Sequence, residues 1–395
     1  MIESSPVSFY PRMMRCRLML VLATTLGVLA WAGTSSCNRA KPLVRIAVTG
    51  PLTGDLAPEG LGMQRSVEMA VADAEAAGES PWRFEVSPYD DRGDPDTAVQ
   101  VAGRIAADPA VAVVVGHITS GCSIAAAKVY AAAGLAMITP SATSPEVTLQ
   151  QAGPEWTGPR VVFRIPASDA VLGAYTAEYS YDRFNLRRMA VIDDGTPYGR
   201  ELSSAFRQRF AGKGGYIVPS RNVSRGETDF VALLSDLRDQ RPEGVFFGGI
   251  YSEFGLMLKA ARGMGLGWPF ICGDGAKAPE LFAIAGAAAD GAYIAVSGVP
   301  VEDIPSAADF VETYRKRYAS GPRVFDHYAY EAGLIAVECL RRHGPDRAAA
   351  LECIRTSQHS GMLGTIVFDS KGDTLKSVIT MTRADVKQQR FVPLY

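Results

Sequence analysis

Short aliphatic runs alternate along this chain with longer stretches in which apolar residues recur every three to four positions. Leu43–Val48 (LVRIAV), Trp82–Tyr89, Val111–Val115 and Leu135–Ile138 have the length and β-branched content of strands. Between them, Gly62–Ala77 (Met63, Val67, Ala70, Val71, Ala74), Asp96–Ala107 and Cys122–Ala133 read as helices. Near-continuous apolar strands are those buried on both faces, as in parallel sheets. The rhythm breaks at Gln150–Arg160, with Gly153, Pro154, Gly158 and Pro159, and restarts at the strand Val161–Ile165. Helices at Ser168–Phe184, Arg200–Ala211, Asp229–Arg238 and Glu253–Met264 then alternate with strands at Arg188–Asp193, Tyr216–Pro219, Gly244–Phe247 and Pro269–Cys272. Further on come a helix at Leu281–Ala285, a strand at Gly291–Val296 and helices at Ala307–Tyr318 and Asp326–Arg342. Late strands at Thr365–Phe368 and Val378–Thr382 flank the turn Asp369–Asp373. The fold class is α/β: two doubly wound parallel-sheet lobes joined by a multi-crossover hinge. The first lobe takes 43–164 plus 298–371, and the second takes 165–297 plus 372–395.

The segment Val111–Thr143 carries the first candidate chemistry. Its two strands end in hydroxyl-rich loops, Ile118-Thr119-Ser120-Gly121 and Thr139-Pro140-Ser141-Ala142-Thr143, with a helix start between them. Ligands of open parallel sheets sit beyond the carboxyl ends of the strands. A helix N-terminus offers unpaired N–H groups and partial positive charge, which suit a carboxylate or phosphate. Ser120 and Thr143 would bring hydroxyls to the same place. Ser and Thr at such positions also serve as ordinary helix caps, and spacing alone does not separate the two roles.

The 395 residues have room for two domains, and a formal net charge of −2 gives no reason to expect a nucleic-acid partner. The four histidines, His117, His327, His343 and His359, form no metal-like pair, so neither a metal nor a cofactor is expected. Residues 1–37 read as a targeting segment. Arg12, Arg15 and Arg17 precede an apolar core, Leu18–Ala32, which is shorter than the ~20 residues of a spanning helix. Gly33-Thr34-Ser35-Ser36-Cys37 resembles a bacterial lipobox, whose Cys becomes a lipidated first residue. Thr34 departs from the aliphatic residue of that pattern and leaves plain signal-peptidase cleavage open, and a start at Met13 or Met14, with Met1 to Arg12 an upstream extension, is an alternative. The reading is therefore an exported protein of the periplasm or cell envelope, tethered through Cys37. Cys339 and Cys353 flank a turn between two helical segments, where an oxidising compartment permits a disulfide; two buried thiols fit the same positions.

VRIAVTGPLTG, YDDRGDP, VVVGHITS, GLAMITPSATSPE, DDGTPYG, ETDFVALLSDLR and GVFFGG, in this order, resemble the branched-chain amino-acid-binding proteins. These are type I periplasmic binding proteins that serve ABC importers. The resemblance runs from about Leu43 to at least Phe368. It implies an α-amino acid held by its head group between the lobes, for delivery to an inner-membrane permease. On that reading Ser120 and nearby N–H groups, with Ile118 and Thr119 in the same turn, hold the carboxylate. Thr143 and the Ser141 backbone assist, Asp274 meets the ammonium, and Tyr198 covers the ligand. Asp274 between two glycines also reads as a simple turn residue.

The side-chain end departs from the family. Glu59 and Arg323 stand where pocket aromatics would be, and Ile250, followed by Tyr251, stands at another aromatic position. Unpaired charges do not suit an aliphatic ligand. Either the ligand carries a polar tail, or the two residues pair with each other, or both lie on the rim. His327 and Tyr328 raise the same question. A first-lobe disulfide of some relatives is absent, its positions being Gly93 and Thr119. A ligand-sensing receptor of the same fold is the rival function. Gly60-Leu61-Gly62 and Gly263–Gly267 lack the strand–loop–helix setting of a nucleotide loop, and no nucleophile stands beside a base, so an enzyme is not expected.

Overall fold

Strand β1 (Leu43–Gly50) pairs in parallel with β2 (Arg83–Asp90) on one side and β3 (Val111–Gly116) on the other. β4 (Ala136–Thr139) and β5 (Val162–Arg164) extend the sheet, giving the order β2-β1-β3-β4-β5. The second sheet repeats this winding: β7 (Tyr216–Val218), β6 (Arg188–Asp193), β8 (Gly244–Gly248), β9 (Phe270–Cys272) and β10 (Tyr293–Ser297). It is then extended by an antiparallel pair, β13 (Ile379–Asp385) and β14 (Arg390–Pro393). In both sheets the strand order reverses beside the first strand. Each reversal opens a crevice between the loops that follow β1 and β3, or β6 and β8. The computed structural model describes residues 1–5, 41–78 and 80–395. Cys37 and nearly all of the targeting segment lie outside these residues.

The apolar runs read as strands because both faces are covered. β6 sends Met189 and Val191 into one core and Ala190 and Ile192 into another. β8 divides likewise, Phe246 to one side and Val245 and Phe247 to the other. The first lobe has its own core around β1, β3 and β4, to which helix Asp326–His343 contributes Tyr328, Ile335 and Leu340. The chain passes between the sheets after β5, again after β10, and again between Gly372 and β13.

Several boundaries differ from the sequence reading. Helix Ala57–Ala76 begins well before Gly62, with proline at its first turn. Gly60 and Gly62 lie inside it because packing leaves no room: a Cβ at Gly60 would fall 1.9 Å from the Pro51 carbonyl oxygen, and one at Gly62 would fall 2.4 Å from Asp326 Oδ1. Helix Ser120–Ala132 starts at Ser120 because Thr119 caps it. The second sheet is mixed rather than wholly parallel, and β14 has no counterpart in the sequence reading. Instead of one strand at Thr365–Phe368 there is a hairpin, β11 (His359–Gly361) with β12 (Gly364–Ile366). Buried Glu331 pins it: Oε2 lies 2.5 Å from His359 Nε2, and Oε1 accepts the Met362 N–H at 2.5 Å.

Cys339 and Cys353 are joined as a disulfide, with S–S 2.10 Å, while Cys122 and Cys272 are buried free thiols. Among the described residues no helix is long and apolar enough to cross a membrane, and no group of three or more His, Cys, Asp or Glu could hold a metal ion.

Candidate functional site

The two crevices face each other across one cleft of about 380 Å³, within the size range of small-ligand pockets. The first lobe lines it with Leu56, Glu59, Ile118, Thr119, Ser120, Ser141 and Thr143, and the second with Asp194, Tyr198, Ile250, Tyr251 and Asp274. The sequence candidates thus converge on one cleft, with Arg323 just behind its Val324-Phe325 wall.

On the first lobe, local turn chemistry builds a donor cluster. The Thr119 hydroxyl accepts the Cys122 N–H and its carbonyl accepts the Ser123 N–H. The Ser120 and Gly121 amides are then the forward donors of the helix. The Ser120 hydroxyl accepts the Ser144 N–H at 3.2 Å, which ties this turn to the next loop. Thr139 folds that loop back by accepting the Ala142 N–H at 2.9 Å. Beneath lies Arg164, 1% exposed, which donates to the carbonyls of Thr143 at 2.9 Å and Ser144 at 2.6 Å and to Asp373 at 2.6 Å. Arg164 sets the height of the Thr143 loop, a role that sequence reading did not assign.

The second lobe opposes this with carboxylates. Asp274 Oδ1 accepts the Tyr198 hydroxyl at 3.0 Å, and the same hydroxyl accepts the Gly275 N–H at 3.1 Å. Asp274 Oδ2 is buried with no partner. Burial pushes the Asp274 carboxyl up to about 7, against the pull of the Tyr198 bond. Asp169, in the first turn of helix Asp169–Asp182, was missed by the sequence reading. It is fully buried with neither oxygen partnered, and its backbone N–H is held by the Thr143 carbonyl at 2.8 Å. Burial, reinforced by Asp274 nearby, drives its carboxyl far above the ordinary range. The signal available in sequence was an acid beside Ser168, just after the chain leaves β5. Asp169 does not itself line the cleft; Asp194, Arg225 and Lys277 do, unannounced, and Arg225 is held by Glu253 at 3.1 Å.

At the other end, Glu59 and Arg323 pair. Arg323 Nε and Nη2 donate to Glu59 Oε1 at 3.0 and 2.7 Å, while Nη1 and Nη2 reach Glu280 at 3.1 and 2.7 Å. Of the alternatives the sequence left open, the structure has mutual pairing. Ile250 presents an apolar contact, and Tyr251 turns its hydroxyl to the Asp55 carbonyl at 2.7 Å. His327 and Tyr328 are buried and do not line the cleft, and burial takes the His327 imidazole down to about 3, so it is neutral. Gly93 and Thr119 are neighbours: a Cβ at Gly93 would meet Thr119 Cγ2 at 3.9 Å.

The geometry is that of a ligand clamp with donors on one wall and buried acids on the other. Known proteins are similar to this chain in sequence and fold. A leucine-, isoleucine-, valine-, threonine- and alanine-binding protein from Pseudomonas aeruginosa is 29% identical over 377 residues, covering 93% of this chain and 98% of that one. Leu/Ile/Val-binding protein homolog 1 of Brucella suis is 31% identical, covering 88% of this chain and 90% of that one. The crystal structure of a leucine-binding protein, LivK, from Thermotoga maritima superposes with a TM-score of 0.79 at 28% identity, covering 89% of this chain and 98% of that one. Residues 43–389 match the family model described as periplasmic binding protein. The chain belongs to the periplasmic binding protein family.

Proposed function

We propose that this protein captures a small α-amino acid as its zwitterion and delivers it to an ABC permease. The observation that carries the reading is the buried, unpartnered Oδ2 of Asp274, a residue that lines the same cleft as the Ser120 helix start and Thr143. A carboxylate belongs at the helix N-terminus, and an ammonium belongs against the acid. The walls beyond, from Leu56, Ile118, Ile250, Val324 and Phe325, suit an aliphatic side chain. The ligands named for the relatives support the same class. Closure follows because only the closed form touches the ligand from both lobes. We further propose export and tethering through Cys37, supported by the leader pattern alone.

The test is thermal unfolding of the purified protein against a panel of amino acids, amides and small carboxylates. A bound ligand at a hundredfold excess over Kd adds about 2.7 kcal/mol. Stabilisation by leucine, isoleucine, valine or threonine is the expected result. No stabilisation by any α-amino acid would overturn the head-group assignment.

A further inference from the structure

We propose that Glu59, Arg323 and Glu280 form a clasp between the lobes that holds the closed state without touching the ligand. This rests on the reading of the cleft as a clamp that closes on an amino acid. Glu59 sits on helix Ala57–Ala76, whose Met63 and Val67 are in the first-lobe core. Arg323 immediately precedes first-lobe helix Asp326–His343, and its backbone N–H is fixed by Asp326 at 2.9 Å. Glu280 sits on helix Pro279–Ala285, whose Leu281 and Phe282 belong to the second-lobe core. The Arg323–Glu280 fork therefore spans the two lobes, while the Arg323–Glu59 bonds lie within one.

The division of labour follows from this placement. Glu59 and Arg323 can stay paired when the lobes part, so within the clasp opening breaks only the contacts to Glu280. Glu280 is about a third exposed, so its desolvation on closing is modest, and the two-pronged geometry is the strong form of the ion pair. Every guanidinium nitrogen of Arg323 is already bonded to a carboxylate, and one N–H, on Nη1, is left over. Glu280 does not line the cleft at all. Leu56 and Phe325 pack from the first lobe against the second-lobe core beside the clasp, so the ion pair seals an apolar seam. A group that favours the closed state without contacting ligand raises affinity for every ligand by the same factor.

The experiment compares the protein with its Glu280→Gln variant. Calorimetry with L-leucine, L-valine, L-threonine and L-glutamine reads affinity. Cross-linking without ligand reads closure: Asp55→Cys and Ser252→Cys, which leave the Tyr251 hydroxyl and the Asp55 carbonyl in place, are joined by a short bismaleimide at a rate that follows the closed population. Glu280→Gln is expected to weaken every ligand that binds by a common factor of roughly tenfold, the scale of one charge-assisted contact. It is also expected to slow ligand-free cross-linking by a similar factor, with an unchanged urea midpoint. A change in the ranking of ligands, or an unchanged cross-linking rate, would overturn the clasp. Failure of the unmodified protein to bind any of the four would overturn the amino-acid reading instead, and the cross-linking rate would still decide the clasp.

Discussion

The two ends of the cleft both gather charge, but one leaves its acids without a counter-ion and the other pairs its acids with Arg323. At the proposed head-group end, Asp274 in the cleft wall and Asp169 near it are buried with oxygens left unpartnered, although burying an acid without a partner is costly. At the far end, Glu59 and Glu280 share the Arg323 guanidinium, although Glu59 Oε2 remains buried without a partner. An acid without a counter-ion in a cleft points to a cationic group on the ligand, and an acid already paired with an arginine does not. Charge in a pocket is thus no guide to ligand polarity until its partners are known.

The sharpest way to break this comparison is Asp274→Ala. Amino-acid affinity should fall by more than about 100-fold, as a buried ammonium loses its counter-charge, while ligand-free thermal stability holds or rises because an unpartnered carboxylate is gone. Unchanged affinity by calorimetry would put the head group elsewhere.

The pH dependence comes next. Asp274 rises from 3.8 to about 7 in the ligand-free fold, so the folded form holds its proton through that window. Ionising it as pH rises from about 4 to 7 therefore destabilises the ligand-free closed form. An ammonium ligand reverses that cost only when the carboxyl is ionised. Affinity should climb between pH 5 and 8, and Asp274→Asn should bind weakly at every pH. A flat profile measured across that range would remove Asp274 from the ammonium.

Tyr198→Phe should have a smaller effect, a roughly tenfold loss, because Tyr198 acts through its hydrogen bond to Asp274. Without that bond the Asp274 carboxyl rises further, so the midpoint of the affinity-against-pH curve should move upward. A loss of affinity with no movement of the midpoint would make Tyr198 a simple cover. Smallest is the salt response of the far end. Raising ionic strength from 0.05 to 0.5 M should cost less than about threefold in affinity through the partly exposed Glu280 contact. Arg323→Met should abolish that dependence, and its persistence would locate the salt-sensitive charges elsewhere.

Much of the head-group end is legible in the sequence because it is built from local turn chemistry at strand ends. Thr119, Ser120, Ser141 and Thr143 occupy the ends of consecutive strands, and a glycine-flanked acid follows β9. Asp169 escaped that reading because an acid in a first helical turn is ordinary. Only its burial and its missing partners distinguish it. The start of helix Ala57–Ala76 escaped because Gly60 and Gly62 look like helix breakers until Pro51 and Asp326 are seen packed against them.

By itself the sequence determined the alternation of strands and helices, the winding of two lobes and the loops in which a head group would sit. Each of these depends on periodicity or on neighbours within a few residues. Only the tertiary structure decided what the charges at the far end do. Glu59 and Arg323 are 264 residues apart in sequence, and Arg323 and Glu280 are 43 apart on different lobes. No local pattern encodes such a pairing. It exists because two cores, each folded around its own sheet, bring their edges within one hydrogen bond of each other.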